Sequence, residues 1–266
     1  MRLRAITVAV IVTFTIVAAT TFADGRSGQA TPGTSVAAIL KAARSALGGE
    51  AKLAAVKSLI LKGEDRRLNQ LFGMSPNAKQ QYYVNPIEFR ALFPDHYLNI
   101  SISGRSPWWR GFSGTDLVNE HDVPGGNQVV SQDPPDLINT YRAEFARLML
   151  LFLLRTDTAI PLTLRESVSS GTILEFSGPD NFSASMDLDK ATHLPSRLRY
   201  QIHPSVGASA GKMVSMIISV DDWRDVSGLK LPYHLLQMEG ETTTSDIRFQ
   251  SIEINLPLTA ADFKKK

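Results

Sequence analysis

Residues 148–154 (LMLLFLL) are seven consecutive large apolar residues in a chain whose other hydrophobic stretches mostly alternate with polar ones. A surface helix needs only a stripe of apolar residues, so a run that is apolar all round must be covered on more than one side. As helix it is roughly 10 Å long at ~1.5 Å per residue, far short of a bilayer. Arg142, Glu144, Arg147 and Arg155 crowd its ends. Any fold proposed for this chain must therefore wrap a short greasy helix, and either protein or a ligand covers its second face.

The N-terminus reads as a targeting segment. Arg2 and Arg4 precede an apolar core, and Thr21-Phe22-Ala23 offers small residues to a signal peptidase, so cleavage after Ala23 is expected. The run over 5–22 is also about long enough to span a bilayer, which makes an uncleaved anchor the alternative. Residues 24–34 are a Gly/Ser/Thr/Pro-rich flexible lead, and 35–266 form one domain. Cleavage removes two arginines and no acids, so the 28 basic residues become 26, equal to the 26 acidic ones. No Lys/Arg cluster marks a nucleic-acid footprint. The chain has no cysteine, so it folds without disulfides and carries no acylated cysteine, which suits a bacterial periplasm.

Thr34 or Ser35 can cap a first helix reaching Leu47, with Val36, Ile39, Leu40, Ala43 and Leu47 on one face. Gly48-Gly49 stops it, and a short helical turn over 50–55 follows. The period then changes to two. Over 96–103, Leu98, Ile100 and Ile102 alternate with Asn99, Ser101 and Ser103. The stretches 182–189 and 197–203 alternate in the same way, each with one buried and one solvated face expected. Further strands are expected near 57–66, 80–84, 88–93, 108–112, 117–121, 172–176, 213–222, 232–239 and 243–254. In the last, Ile247 and Phe249 are out of phase with Ile252 and Ile254, which calls for a bulge near Gln250 and Ser251. Turn signals at Gly125-Gly126, Pro134-Pro135, Gly178-Pro179, 207–211 and Ser227-Gly228 separate the strands. About eleven antiparallel strands curl. The expected class is thus α+β, mainly antiparallel β: an open, strongly curved half-barrel with helices across its concave face.

Motifs for chemistry fail one by one. Gly111-Phe112-Ser113-Gly114-Thr115 lacks the last glycine of a nucleophile elbow. The loop 207–212 is one residue short of a phosphate loop, and Met213 replaces its hydroxyl residue. Asp187 and Asp189 resemble a nucleophilic pair, but Ala191 stands where the haloacid-dehalogenase pattern has Thr; the alternation places both on a polar strand face entering a turn. His96, His121, His193, His203 and His234 show no metal-ligand spacing. Trp108 and Trp109 are adjacent in a strand and so face opposite ways, which weakens a carbohydrate platform. No catalytic residue, cofactor or metal is assigned, and no enzyme is expected.

Four stretches resemble a known family. They are Ala46-Leu47-Gly48-Gly49 followed by residues 57–63, Leu188-Asp189-Lys190-Ala191-Thr192-His193-Leu194-Pro195, residues 222–232 (DWRDVSGLKLP), and residues 252–258 with Phe263. Together they are similar to the LolA/LppX-like superfamily of periplasmic lipoprotein and lipid carriers. The resemblance implies an open half-barrel with helices as a lid over an apolar cavity, and it carries over no catalytic residue. The expected function is a periplasmic, non-enzymatic carrier or binder of a hydrophobic, acyl-bearing ligand such as lipid or lipoprotein. The alternative is an envelope sensor or protein-interaction domain using the same sheet without lipid; a hydrolase with a spatially assembled site is a third. A sixteen-carbon chain gains on the order of 12 kcal/mol on burial, at about 0.8 per methylene, so an apolar hollow suffices. Candidate lining residues are Phe145, Leu148, Met149 and Phe152 on the central helix, with Leu98, Ile100, Met186 and Tyr200 on strands. Expected partners are a hydrophobic small molecule or lipoprotein acyl chains, with an envelope protein as a further one and no nucleic acid; the chain is expected to be a monomer.

Overall fold

The computed structural model describes residues 35–68, 81–103, 106–121, 133, 134, 136–165, 172–203 and 211–264. The signal segment, the lead and the 207–210 loop lie outside the described residues, which all belong to one unit, Gly33–Lys266. Two helices, α1 (Val36–Ala46) and α2 (Glu50–Ala55), precede five strands: β1 (Ser58–Leu68), β2 (Tyr82–Leu92), β3 (His96–Ser103), β4 (Ser106–Ser113) and β5 (Asp116–His121). The long helix α3 (Leu137–Leu153) comes next. Seven strands follow: β6 (Thr163–Arg165), β7 (Ile173–Ser177), β8 (Ser183–Leu188), β9 (Pro195–Ile202), β10 (Val214–Val226), β11 (Leu229–Glu239) and β12 (Thr242–Ile254). A 3-10 turn, Ala260–Phe263, closes the described chain.

All twelve strands join one antiparallel sheet in the order β5-β4-β3-β2-β1-β12-β11-β10-β9-β8-β7-β6. It is two meanders, one wound outward from β1 and the other from β12, joined where β1 pairs β12 from Leu59↔Ile254 to Arg67↔Ser245. β5 and β6 are consecutive in sequence yet occupy opposite edges, so the chain between them must cross the sheet. Helix α3 makes that crossing. It packs against β3, β4 and β5 on one side and β9 and β11 on the other. Eight strand spacings of ~4.8 Å separate β5 from β9, about 38 Å if flat, whereas 17 residues of helix reach only about 25 Å. A flat sheet would also cover one face of the helix, yet every residue from Leu148 to Leu154 is at most 7% exposed. The open sheet therefore curls round α3. That answers what covers its second face: the other half of the same sheet.

The stretches that carry the family resemblance turn out to be joints. Ser35 caps α1 by accepting from the Ala38 amide at 3.2 Å. Beyond Leu47, Gly48 (φ 125°) lies so close to the β10–β11 turn that a Cβ would stand 2.4 Å from the Gly228 carbonyl oxygen, and Leu47 O accepts from Lys230 N at 2.9 Å. That turn is Ser227-Gly228, both with φ > 0, the two-residue hairpin form that matches strand twist. Asp189 Oδ1 accepts from the Thr192 amide (2.7 Å) and hydroxyl (2.8 Å), tying the β8–β9 turn. Asn255 Oδ1 accepts from Lys57 N at 2.7 Å, fastening the end of β12 to the start of β1.

The expected bulge is present: Lys62 pairs Ser251 and Gly63 pairs Phe249, leaving Gln250 extra. Three expectations are corrected. The stretches 80–84 and 88–93 are a single strand; β2 passes through Pro86, and pairing to β3 stops at Ile87, so the missing proline N–H meets an edge there. Strand β6, three residues long, was unforeseen, bringing the count to twelve. Strand β3 is buried on both faces in part: Tyr97, not Leu98, faces α3, while Leu98 packs with Val118 and Phe263 in a second small core under the C-terminal turn.

Candidate functional site

The apolar interior centres on α3. Phe145 is fully buried, with ring centroids at 5.4 Å from Tyr97, 5.8 Å from Phe93 and 5.8 Å from Phe112; Phe152 meets Phe249 edge-on at 5.8 Å. Of the eight residues expected to line a cavity, Phe145, Leu148, Met149, Phe152, Met186 and Tyr200 share this interior. Leu98 and Ile100 do not, lying with the small core on the other face. The six are covered by side chains of the protein itself, none more than 8% exposed.

Beside this apolar body the same sheet face carries polar groups. The strand register places Asn85 opposite Asp65, and Ser245 opposite Arg67. Asp65, 2% exposed, accepts from Ser245 Oγ at 2.6 Å and from Arg67 Nε at 2.8 Å. One strand spacing on, Tyr97 Oη and Asn99 Nδ2 both donate to Glu144 Oε1 of α3, at 2.7 and 3.1 Å. Tyr141, one turn earlier, donates to Asn119 Oδ1 at 3.1 Å. Burial pushes the Tyr97 phenol well above its ordinary value, the Glu144 charge adds to this, and Arg67 partly opposes it. Burial likewise raises Tyr141 to about 12, with Arg110 opposing. Tyr200 is also raised to about 12, by burial first, against the pull of Arg147 and with the help of Glu144. Glu144 thus sits at the centre of a connected set of groups.

The arginines around α3 differ in the acceptors they find. Arg142 donates to Gly114 O at 3.2 Å, while its Nε, like that of Arg147, is shut off from solvent without a partner. Arg155 donates to Val56 O at 2.8 Å and to Asp157 Oδ1 at 2.9 Å, with its guanidinium 4.1 Å over the Phe93 ring. Arg44 of α1 donates to Leu154 O, the end of α3, at 3.0 Å. Arg147 has no such acceptor among the described residues. Its guanidinium carbon lies 4.2 Å over the Tyr200 ring and 5.5 Å from that of Phe182. Its Nε is shut off from solvent without a hydrogen-bond partner. Burial pulls its pKa down, against the favourable charge of Glu144 and the Tyr200 oxygen. Glu144 and Arg147 entered the sequence reading only as charges crowding an apolar run. The signal was there, since a charge within a helix that is otherwise covered all round must meet either a partner or an energetic cost.

Among the described residues, the chemistries considered from sequence assemble no site. His234 is held through Nδ1 by Asp221 (2.7 Å) and through Nε2 by Asp246 (2.9 Å), so both ring nitrogens are engaged by carboxylates. Asp187 pairs with Arg199, and Asp189 is committed to the Thr192 turn. Residues 111–115 run from β4 into its hairpin turn with β5, where an elbow needs a strand entering a helix. Trp108 stacks on His121 at 4.3 Å, while Trp109 packs on the small core of the opposite face. No group of three His, Cys, Asp or Glu able to hold a metal ion occurs among the described residues. A hollow of about 400 Å³ lies over β6–β10; its walls are mixed, with Arg165, Glu175, Arg199 and Gln201 beside Phe176 and Met216. No helix among the described residues is long and apolar enough to cross a membrane.

No protein-family model matches this chain, and no curated protein matches it in sequence. Solved structures are similar to it over most of their length. A LolA superfamily protein from Nitrosomonas europaea aligns at 12% identity over 87% of this chain and 98% of its own, with a TM-score of 0.42. A domain from Vibrio parahaemolyticus assigned to outer membrane lipoprotein sorting aligns at 10% identity over 84% and 95%, with a TM-score of 0.43. A DUF1329 family protein from Desulfovibrio piger aligns at 13% identity over 86% and 97%, with a TM-score of 0.44. The half-barrel itself is read from the strand pairing of this chain.

Proposed function

We propose that this protein is a non-enzymatic, exported binder or carrier of an acyl-bearing amphiphile, acting in the periplasm. The sequence resemblance to lipoprotein and lipid carriers motivates the reading. The observation that carries it is the pairing, on one helix, of an apolar body wrapped by a curled sheet with an arginine, Arg147, that finds no hydrogen-bond acceptor among the described residues. Burying apolar carbon supplies affinity at about 0.8 kcal/mol per methylene without any catalytic constellation. The test is to purify the mature protein, extract it and identify co-purified lipid by mass spectrometry, then measure displacement of a fluorescent fatty acid. A folded sample with no lipid and no displacement overturns the reading.

A second reading rests on a different observation: the six interior candidates are already packed against one another. With those six positions already filled by the protein's own side chains, the curled sheet would serve as an interaction domain for an envelope protein. A stoichiometric protein partner that survives delipidation of an envelope extract favours this reading over the first.

A further inference from the structure

We infer that Arg147 is the anchor for the anionic head of the ligand, so that the protein selects amphiphiles ending in a carboxylate or phosphate over neutral ones of the same chain. This rests on the carrier reading and narrows its ligand class.

The argument begins with cost. A guanidinium taken out of water loses hydration that only a counter-ion or hydrogen bonds restore, and an uncompensated buried charge is strongly destabilising. Of the arginines bordering α3, Arg155 is held by Val56 O and Asp157 and Arg44 by Leu154 O, whereas Arg142 donates to Gly114 O and leaves its Nε without a partner. Arg147 alone receives only ring faces, Tyr200 and Phe182. Those rings hold the guanidinium plane and leave its hydrogen-bonding fork unused. The nearby acids are engaged elsewhere: Glu144 takes Tyr97 and Asn99, and Asp65 takes Arg67 and Ser245. Two further cations lie close to this set: Arg67 is neutralised by Asp65 at 2.8 Å, and Arg110 lies over the Trp108 ring.

Geometry then selects the ligand. A planar guanidinium with free N–H groups matches a carboxylate or phosphate two bonds at a time, which a neutral hydroxyl cannot reproduce. The phenol of Tyr200, kept protonated up to about pH 12, remains a neutral donor beside it. The same sheet face is apolar around Tyr200, which pairs across the sheet with Ala184 and Met216, two residue pairs from Met186 and Leu198. These neighbours are themselves buried, so a head at this point meets apolar side chains, in keeping with the amphiphile of the carrier reading. The Glu144 charge disfavours a dianion and so tilts the choice toward a singly charged head.

Binding to the delipidated full-length mature protein at pH 8 tests this with four probes: oleate, oleyl alcohol, oleoyl lysophosphatidate and inorganic phosphate. Oleate is expected to bind at least ~10-fold more tightly than oleyl alcohol, the ratio expected of one desolvated charge-assisted pair. Arg147→Gln should bring the two within ~2-fold, and Arg147→Lys should keep part of the preference. Oleate against lysophosphatidate separates a carboxylate head from a phosphate head. The wild-type ratio needs no variant, and thermal unfolding shows whether each variant is folded. Equal binding of oleate and oleyl alcohol to the wild type overturns the anchor while leaving the carrier reading standing, as does a preference that survives in folded Arg147→Gln. Binding of inorganic phosphate alone overturns the amphiphile in favour of a small-anion site, and binding of neither lipid removes the carrier reading together with the anchor.

Discussion

The two halves of helix α3 are built to different standards. Its C-terminal end is sealed: Leu154 adopts the left-handed cap conformation, its carbonyl accepts from Arg44, and Arg155 ties α3 to the end of α2 through Val56 O while stacking on Phe93. About two to three turns earlier, around Glu144 and Arg147, the helix meets strands β3 and β9 through polar groups, and the cation among them has no acceptor on the described chain. Both regions bury an arginine against an aromatic ring. Only the first completes the guanidinium's hydrogen bonds. The difference separates packing that holds the fold from packing that leaves a valence for something else.

The contrast can be broken at its strongest point first. Phe145 joins both halves, ringed by Phe93, Tyr97 and Phe112; Phe145→Ala should cost about 3–5 kcal/mol in urea unfolding, and a loss under 1 would mean that α3 is not core. Alkali probes the polar half. Tyr200 and Tyr141 have folded pKa values raised from 10 to about 12, so their contribution is present below pH 10 and is lost as pH rises toward 12. Each group accounts for up to about 2–3 kcal/mol. Unfolding measured at pH 9 and pH 11.5 should fall less steeply in Tyr200→Phe than in the wild type, and equal slopes would remove Tyr200 from the buried set. At the sealed end, Arg155→Met orphans Val56 O and should cost about 1–3 kcal/mol by chemical denaturation. At the open half, Arg147→Met should stay within about 0.5 kcal/mol of wild type or rise above it, because it removes a partly buried guanidinium that has no hydrogen-bond acceptor on the described chain. Equal losses for the two arginines would erase the distinction.

Much of this was legible in the residues. The Ser35 cap, the Gly48-Gly49 stop, the Gln250 bulge and the bounds of β3 all follow from local rules that tertiary structure left intact. What escaped depended on partners distant in sequence. The alternation of Leu98 and Ile100 named the wrong face of β3 for α3, because Phe263, some 165 residues on, covers those residues, while Glu144 satisfies Asn99 on the opposite side. Pro86 suggested a break in β2, but whether a proline interrupts a strand depends on the neighbour to which its missing N–H would have pointed. The helix was recognised from Glu144 on by its apolar run, and its first two turns, 137–143, were not, because Asn139, Thr140 and Arg142 mask them. The candidate site was half visible: its apolar residues stood out by type, whereas Arg147 becomes conspicuous only once every acceptor around it has been accounted for.

The seam between β1 and β12 also sets an order of events for the chain as it is made. Each meander consists of neighbouring hairpins that can pair as soon as their residues emerge, but the strand in the middle of the finished sheet, β12, is the last to be synthesised. Until residue 254 is available, β1 has one partner, and the two edges that α3 must link have no common surface to lie on. Contacts of such sequence separation are slow to form and leave strand edges open while they wait. Folding of this protein should therefore be completed from its tail: a chain cut before Thr242 would retain two workable meanders and nothing to join them.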